Sequence, residues 1–389
     1  MDTIKTISQI MCDGDWIESK DQDETGIRLV QTGNIGNTEY LEKANKAKYI
    51  SEETFNRLKC TEIHGGDILI SRLPDPVGRA CIVPNNIGKA ITAVDCTILR
   101  VKKEKCLPEY FLYYTNSLKY KQQIAQYLSG TTRKRISRKN LEKVEIFIPN
   151  LATQKEVVKK LGHICKCINR KKEQLNLLDE LVKSRFIELF GDVIYNDKKW
   201  ECKRFSDITT SRLGKMLDTK HQTGTCQYPY LANFNVQWFR FELNNLNEMD
   251  FDEKEQVEFC LKDGDLLVCE GGEIGRCAVW HSQIKKCFFQ KALHRVRCNQ
   301  KIILPDYLSW WFKYNCDNGG FSVIEGAKAT ISHLTGAKMK VLNVVVPPIE
   351  LQEQFVVFLR ETDKSKLAVQ KSLDELETLK KSLMQEYFG

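Results

Sequence analysis

The residues best suited to a chemical task lie between Ser129 and Lys143, in the run SGTTRKRISRKNLEK. Six of them are basic (Arg133, Lys134, Arg135, Arg138, Lys139 and Lys143) against a single acid. Lys and Arg neutralise phosphates, and a guanidinium can address both acceptors of a guanine edge. Thr131, Thr132 and Ser137 add short hydroxyl donors for phosphate oxygens. A second glycine-led polar run, EGAKATISHLTGAKMK over 325–340, offers Lys328, Thr330, His333, Lys338 and Lys340 with a different charge pattern. Two such loops with unlike chemistry are what two different base sequences would require. Further candidates are Ser71-Arg72 and Arg79 in the first half of the chain and Arg276 in the second. The segment from Asn233 to Arg240 joins them, because Asn and Gln amides can pair with adenine.

Catalytic patterns are missing. No phosphate-binding loop, no H-E-x-x-H and no G-x-S-x-G occurs, and Pro347-Pro348 is not part of an Asn-Pro-Pro-Tyr methyltransferase motif. Glu270 and Glu273 flank a Gly-Gly turn without the following lysine that a metal-dependent nuclease would add, and the six histidines form no cluster. The 15 cysteines include no C-x-x-C pair, so neither a metal nor a disulfide framework is expected and the thiols read as reduced, mostly buried small hydrophobes. The first residues, MDTIKTISQIMCDGDW, lack a leader's apolar run, and no apolar stretch approaches the ~18 residues of a membrane span. A charge of +8 on 389 residues with 42% hydrophobic content points to a folded protein with a local basic face.

The elements that must carry these loops occur twice. Gly66-Asp67-Ile68-Leu69 returns as Gly264-Asp265-Leu266-Leu267, Gly78-Arg79 as Gly275-Arg276, and Leu107-Pro108-Glu109-Tyr110 as Leu304-Pro305-Asp306-Tyr307. Gly130, Ile136 and Ser137 align with Gly326, Ile331 and Ser332, and Phe190-Gly191 with Phe388-Gly389, at offsets that stay between 195 and 198. A period this long is a duplicated domain. Each copy reads as mixed α/β: short Gly-broken strands, one helix over 107–128 or 304–315, and a strand ending at Pro149 or Pro347.

A long tail follows each body. Val157, Leu161, Ile164, Ile168, Leu175, Leu178, Val182 and Leu189 fall on alternating four- and three-residue steps, broken only by Lys171 and Arg185. Phe355, Leu359, Val369, Leu373, Leu376, Leu383 and Tyr387 do the same in the second tail, broken by Thr362, Lys366 and Lys380. Sustained spacing of this kind predicts an antiparallel coiled coil of two helices. The expected order is a body over 1–150, a helix over 151–191, a body over 192–348 and a helix over 349–389, arranged as a pseudo-twofold dumbbell.

These motifs together resemble the specificity subunit of a type I restriction–modification system. The resemblance covers the whole chain. It rests on the Gly-Asp-Ile-Leu strand, the Leu-Pro-x-Tyr helix start and the polar glycine loop. Above all it rests on Ile148-Pro149-Asn150-Leu151-Ala152-Thr153-Gln154 and its repeat Val346-Pro347-Pro348-Ile349-Glu350-Leu351-Gln352 ahead of the long helices. Asn150 stands in place of a second proline, a departure expected to weaken that helix start slightly. The resemblance implies a non-catalytic chain in the cytoplasm of a bacterium or archaeon, with each body a target recognition domain reading half of a bipartite duplex DNA site. The helices would dock two methyltransferase subunits, joined by restriction and translocase subunits. No cofactor or metal would be bound by this chain, because S-adenosylmethionine, ATP and magnesium would belong to the partners. The alternative reading is a non-specific DNA-binding coiled-coil scaffold.

Overall fold

A computed structural model describes residues 1–217, 223–321 and 334–389. The chain divides into two compact units, one of residues 1–173 with 370–389 and the other of residues 174–369. This division differs from the chain-order boundaries, because each unit keeps part of both long helices.

Within the first unit, Ser8–Asp13, Cys96–Val101, Ile68–Ser71 and Ala80–Ile82 form an antiparallel sheet in that spatial order. A second sheet orders Lys48–Ile50, Ile27–Val30, Ala90–Thr92 and Glu62–Ile63, with Ile27–Val30 parallel to Ala90–Thr92. The second unit repeats the first sheet strand for strand, as Thr209–Leu213, Leu293–Cys298, Leu266–Cys269 and Cys277–Val279. Its companion sheet orders Asn247–Asp250, Gln227–Leu231 and Phe288–Phe289, again with one parallel pair. Continuous apolar runs such as Ile68-Leu69-Ile70 and Leu266-Leu267-Val268 are fully buried because both faces of the strand are covered. The fold is mixed α/β in both units.

The repeated Gly-Asp motif has a structural task. Asp67 is buried and takes a bidentate pair from Arg100, at 2.7 Å on each oxygen, while one oxygen also accepts the His64 amide. Asp265 does the same with Arg297, at 2.6 and 3.1 Å, and the Lys262 amide. The fork geometry of Arg matches a carboxylate, and the added amide leaves little buried charge unsatisfied.

One expected helix is two. The span 107–128 breaks into Pro108–Tyr114 and Leu118–Gln126. Thr115 and Asn116 both hydrogen-bond back to the Leu112 carbonyl, and the Ser117 hydroxyl accepts the Tyr120 amide to start the second piece. Short polar side chains offered the backbone a local alternative to continuing the helix. At the corresponding place the second unit has a single unbroken helix, Pro305–Asp317.

The long helices run Leu151–Phe190 and Ile349–Phe388. Within the first unit they pair antiparallel, with Lys172 Nζ 3.0 Å from Glu377. Within the second, Lys366 Nζ lies 2.6 Å from Asp179 and the Phe186 and Phe355 rings are 5.4 Å apart, again antiparallel. Val157, Leu161, Ile164, Ile168, Val182, Phe355, Leu359, Val369 and Leu373 are buried, and Leu175, Leu178, Leu189, Leu376, Leu383 and Tyr387 are half-buried. The stripe's interruptions are accommodated: Lys366 reaches Asp179, and buried Thr362 donates its hydroxyl to the Phe358 carbonyl of its own helix. Asn150 does not weaken the first helix. Its side chain accepts the Thr153 amide at 2.9 Å, which is an N-cap.

Two kinds of residue tie the helices to the bodies. At the start, Gln154 is fully buried; its oxygen accepts the Leu107 amide at 2.9 Å and its nitrogen donates to the Lys105 and Pro149 carbonyls, each at 2.8 Å. Gln352 repeats this with the Leu304 amide and the Ile302 and Pro347 carbonyls. At the end, Phe190 packs on Tyr307 at 4.7 Å, and Phe388 on Tyr110 at 5.1 Å.

All 15 cysteines are free, and only Cys202 and Cys226 are exposed. Burial pushes the Cys81 and Cys106 thiols up to about 12, which makes them inert at neutral pH. Among the described residues no group of three His, Cys, Asp or Glu is placed to hold a metal, and no helix is long and apolar enough to cross a membrane.

Substituting Gln154 or Gln352 by Ala leaves a buried amide and two carbonyls without partners. Each variant is expected to lose roughly 2–4 kcal/mol in urea unfolding. The exposed Gln370→Ala is the control and should stay within about 0.5 kcal/mol of the parent.

Candidate nucleic-acid interface

The basic run becomes a closed loop. Ser129 and Arg135 exchange two backbone hydrogen bonds of 2.9 Å, which pinch its base. Gly130 sits at φ +97°, and a Cβ there would lie 2.6 Å from the Arg133 carbonyl oxygen, so the turn needs glycine. Thr131, Thr132, Arg133, Lys134 and Arg135 are all exposed. Beyond the pinch, buried Ile136 donates its amide to the Arg72 carbonyl at 3.2 Å, and the exposed Ser137 caps the short helix Arg138–Leu141 by accepting the Asn140 amide. The loop therefore projects three charges from a fixed base, and no ion pair among the described residues involves them.

The other candidates lie deeper. Asp13 stands 3.6 Å from Arg72 and 3.7 Å from Arg138, and accepts the Thr97 hydroxyl at 3.2 Å. Arg138 also donates to the Met11 carbonyl at 3.0 Å, and Arg72 to the Val94 carbonyl. These two arginines brace the floor beneath the loop. Arg79 is turned inward: its guanidinium donates to the carbonyls of Ile35, Leu73, Pro76 and Thr32 at 2.7 to 3.0 Å. Arg276 holds the Asn233 carbonyl and side chain in the corresponding place. The Gly-Arg pairs are thus internal clamps on a neighbouring turn, Arg79 spending four of its five N–H donors on backbone carbonyls of its own unit.

The Asn233–Arg240 segment is also committed internally. Buried Asn235 accepts the Ala232 amide and donates to the Glu242 carbonyl, each at 2.9 Å, as Asn34 does with Gln31 and Leu41 in the first unit. Trp238 donates to Glu273 at 2.6 Å.

The second unit repeats the anchors that follow the loop. The Leu334 amide donates to the Glu270 carbonyl at 2.8 Å, and Thr335 caps Gly336–Lys340. These hydrogen bonds make Leu334 and Thr335 the counterparts of Ile136 and Ser137. Ile331 and Ser332, matched to them by letter, lie outside the described residues. Lys328, Thr330 and His333 lie outside the described residues, and Lys338 is half-buried on the short helix. Beneath this loop the floor differs. Glu270 replaces Arg72, buried His294 replaces Thr97, and Gly336 replaces Arg138. His294 Nε2 is 4.0 Å from Glu270, and burial pulls its imidazole below the ordinary histidine range. A Cβ at position 336 would come 3.2 Å from the His294 ring, so glycine there makes room for the imidazole.

The same rigid anchors recur on the same frame in both units. The model of the type I restriction modification DNA specificity domain matches residues 3–180 and again 197–378, and the chain belongs to that family as a specificity subunit with two target recognition domains. It is 20% identical over 334 residues to a putative type I restriction enzyme MjaX specificity subunit of Methanocaldococcus jannaschii, covering 82% of this chain and 76% of that one. A putative type I restriction enzyme specificity subunit of Haemophilus influenzae is 22% identical over 265 residues, 66% of this chain and 64% of that relative. The crystal structure of a type I restriction–modification S subunit from M. genitalium superposes with a TM-score of 0.59 at 12% identity, over 100% of this chain and 95% of that one, which establishes the shared fold.

The geometry separates two kinds of arginine. Arg79→Ala should destabilise the fold by roughly 2–4 kcal/mol, since four carbonyls lose a charged donor. The triple variant R133A/K134A/R135A should leave the melting temperature within about 2 °C of the parent, as expected of exposed positions. Calorimetry on both variants checks this.

Proposed function

We propose that this chain selects DNA sequence for a type I restriction–modification complex, each unit reading one half of a bipartite duplex target. The long helices dock two methyltransferase subunits, to which restriction and translocase subunits are added. S-adenosylmethionine, ATP and magnesium are then held by those partners, and adenine is the base modified. The complex works in the cytoplasm. This chain supplies recognition and no catalytic group.

The observation that carries this reading is the pair of identical anchors, preceded in the two units by glycine-led sequences of different charge. Arg72 and Glu270 present the same carbonyl to Ile136 and Leu334, and Ser137 and Thr335 cap the same short helix. Between anchor and glycine one loop carries three exposed cations. A non-specific scaffold would have no use for two different surfaces on one frame. Partner docking is supported by Leu177, Leu181 and Leu367, which the pairing of the helices leaves 62%, 49% and 73% exposed.

Co-expression with a type I methyltransferase subunit in a host lacking adenine methylation, followed by mapping of modified adenines, should give one motif of two short halves around a fixed gap. Replacing residues 192–347 by those of another family member should change one half only. Modification without sequence preference would overturn the reading in favour of the scaffold. In duplex binding, R133A/K134A/R135A should weaken affinity and lower the salt slope by about one unit for each phosphate contact removed.

A further inference from the structure

The strand that underlies each loop ends in the same unusual way. Ser8–Asp13 stops at Gly14, and Thr209–Leu213 at Gly214. At both glycines a Cβ would collide with backbone carbonyl oxygens, of Thr92 and Ala93 in one unit and of Phe289 and Gln290 in the other. The chain is pressed there against a neighbouring strand. The next residue is pinned: the Asp15 amide bonds to the Thr92 carbonyl and its carboxylate accepts the Thr61 amide, each at 2.8 Å. Lys215 bonds through its amide to the Phe289 carbonyl at 3.1 Å and through its ammonium to the Asp250 carbonyl at 2.6 Å and Glu255 at 2.5 Å. One residue further on, each unit presents a large apolar side chain to solvent, Trp16 at 70% exposure and Met216 at 62%.

This arrangement costs free energy and occurs twice. A tryptophan left this open forgoes a large hydrophobic gain, and a rigid mount removes its freedom to fold back. Trp16 also lies close to the basic loop of the first unit, and Met216 to the anchor residues of the second. Asp13, three residues before Trp16, touches Arg72 and Arg138 at the foot of the first loop. Leu213, three residues before Met216, pairs with His294, against whose ring Gly336 is packed at the foot of the second. Three extended residues span about 10 Å. Of the acids around Trp16, Glu18 pairs with Lys20 at 2.9 Å and also takes the Trp16 indole N–H, and Asp21 pairs with Arg57 at 2.6 Å.

We infer that Trp16 and Met216 are apolar base-contacting residues, one for each half of the DNA target, making van der Waals contact with base edges. The inference rests on the reading of the chain as a DNA-sequence reader and adds a residue pair to it. DNA is favoured over a protein partner by the difference in identity. A subunit that docks on both units alike would meet the same residue on a shared mount, whereas two half-sites call for different ones.

The test uses the full chain with its methyltransferase subunit in the methylation-free host. Parent, W16A, W16F, M216A and the control V257A, whose side chain is 82% exposed, are compared by motif and by methylation rate at each site. W16A is expected to relax or weaken at least one base pair of the half assigned to the first unit by about ten- to a hundredfold, with the other half intact and W16F close to the parent. M216A should act on the opposite half, and V257A on neither. Variants with the parent's motif and rate would overturn the inference. So would a uniform loss of rate with both halves intact and a complex that dissociates on gel filtration, which would make the two residues a subunit contact. A parent chain that gives no split motif sinks the sequence-reading role itself, a result distinct from either of these.

Discussion

Everything in this protein hangs on the buried amide at the first turn of each long helix. Gln154 and Gln352 are the points where three otherwise separate pieces of chain meet: the turn ahead of the Leu-Pro helix, the end of the last strand, and the long helix itself. An amide has both donor and acceptor, so it alone among uncharged side chains of this length can bond an N–H and two carbonyls at once. Because the site is dry, a misplaced helix would leave those groups unsatisfied, and the direction in which the helix leaves the body is thereby specified.

From that point the helix serves the units unequally along its length. Its early apolar residues belong to the unit where it starts, and its last aromatic residue belongs to the core of the other: Phe190 sits on Tyr307 and Phe388 on Tyr110. The narrow coiled-coil stripe gives way to Phe186 and Phe190, both buried among Tyr307, Trp310 and Phe355. The Phe-Gly that closes each repeat is thus a docking residue followed by a break, and helix and body are mutually dependent for burial.

With the frame held by the glutamines, the Asp–Arg forks and the aromatic docks, the basic loop of the first unit is relieved of structural duty. The first loop needs only a glycine, a pinch of two hydrogen bonds and a capped exit. Its tip residues contribute nothing to the core and can vary freely. The floor beneath shows the same freedom one layer down. An Asp13–Arg72–Arg138 cluster in one unit is replaced by a Glu270–His294 pair in the other without moving a strand.

The linear order of residues by itself determined the duplication, the mixed α/β bodies, the paired long helices and the basic loop, because these follow from letter identity at a constant offset, apolar periodicity and local charge. The stripe from Val157 to Leu189 names its own partner surface. What the letters did not distinguish was the direction in which a polar side chain points. Arg79, Arg276 and Asn235 looked like DNA ligands and are internal clamps, since an arginine beside glycine reads alike whether carbonyls or phosphates surround it. Trp16 and Met216 were invisible because large apolar residues are presumed buried, and the single helix over 107–128 was broken by Thr115, Asn116 and Ser117 finding local partners. Those outcomes belong to the tertiary structure: it alone decides which hydrogen-bonding groups are taken out of water, and once there they must bond inward or not be there at all.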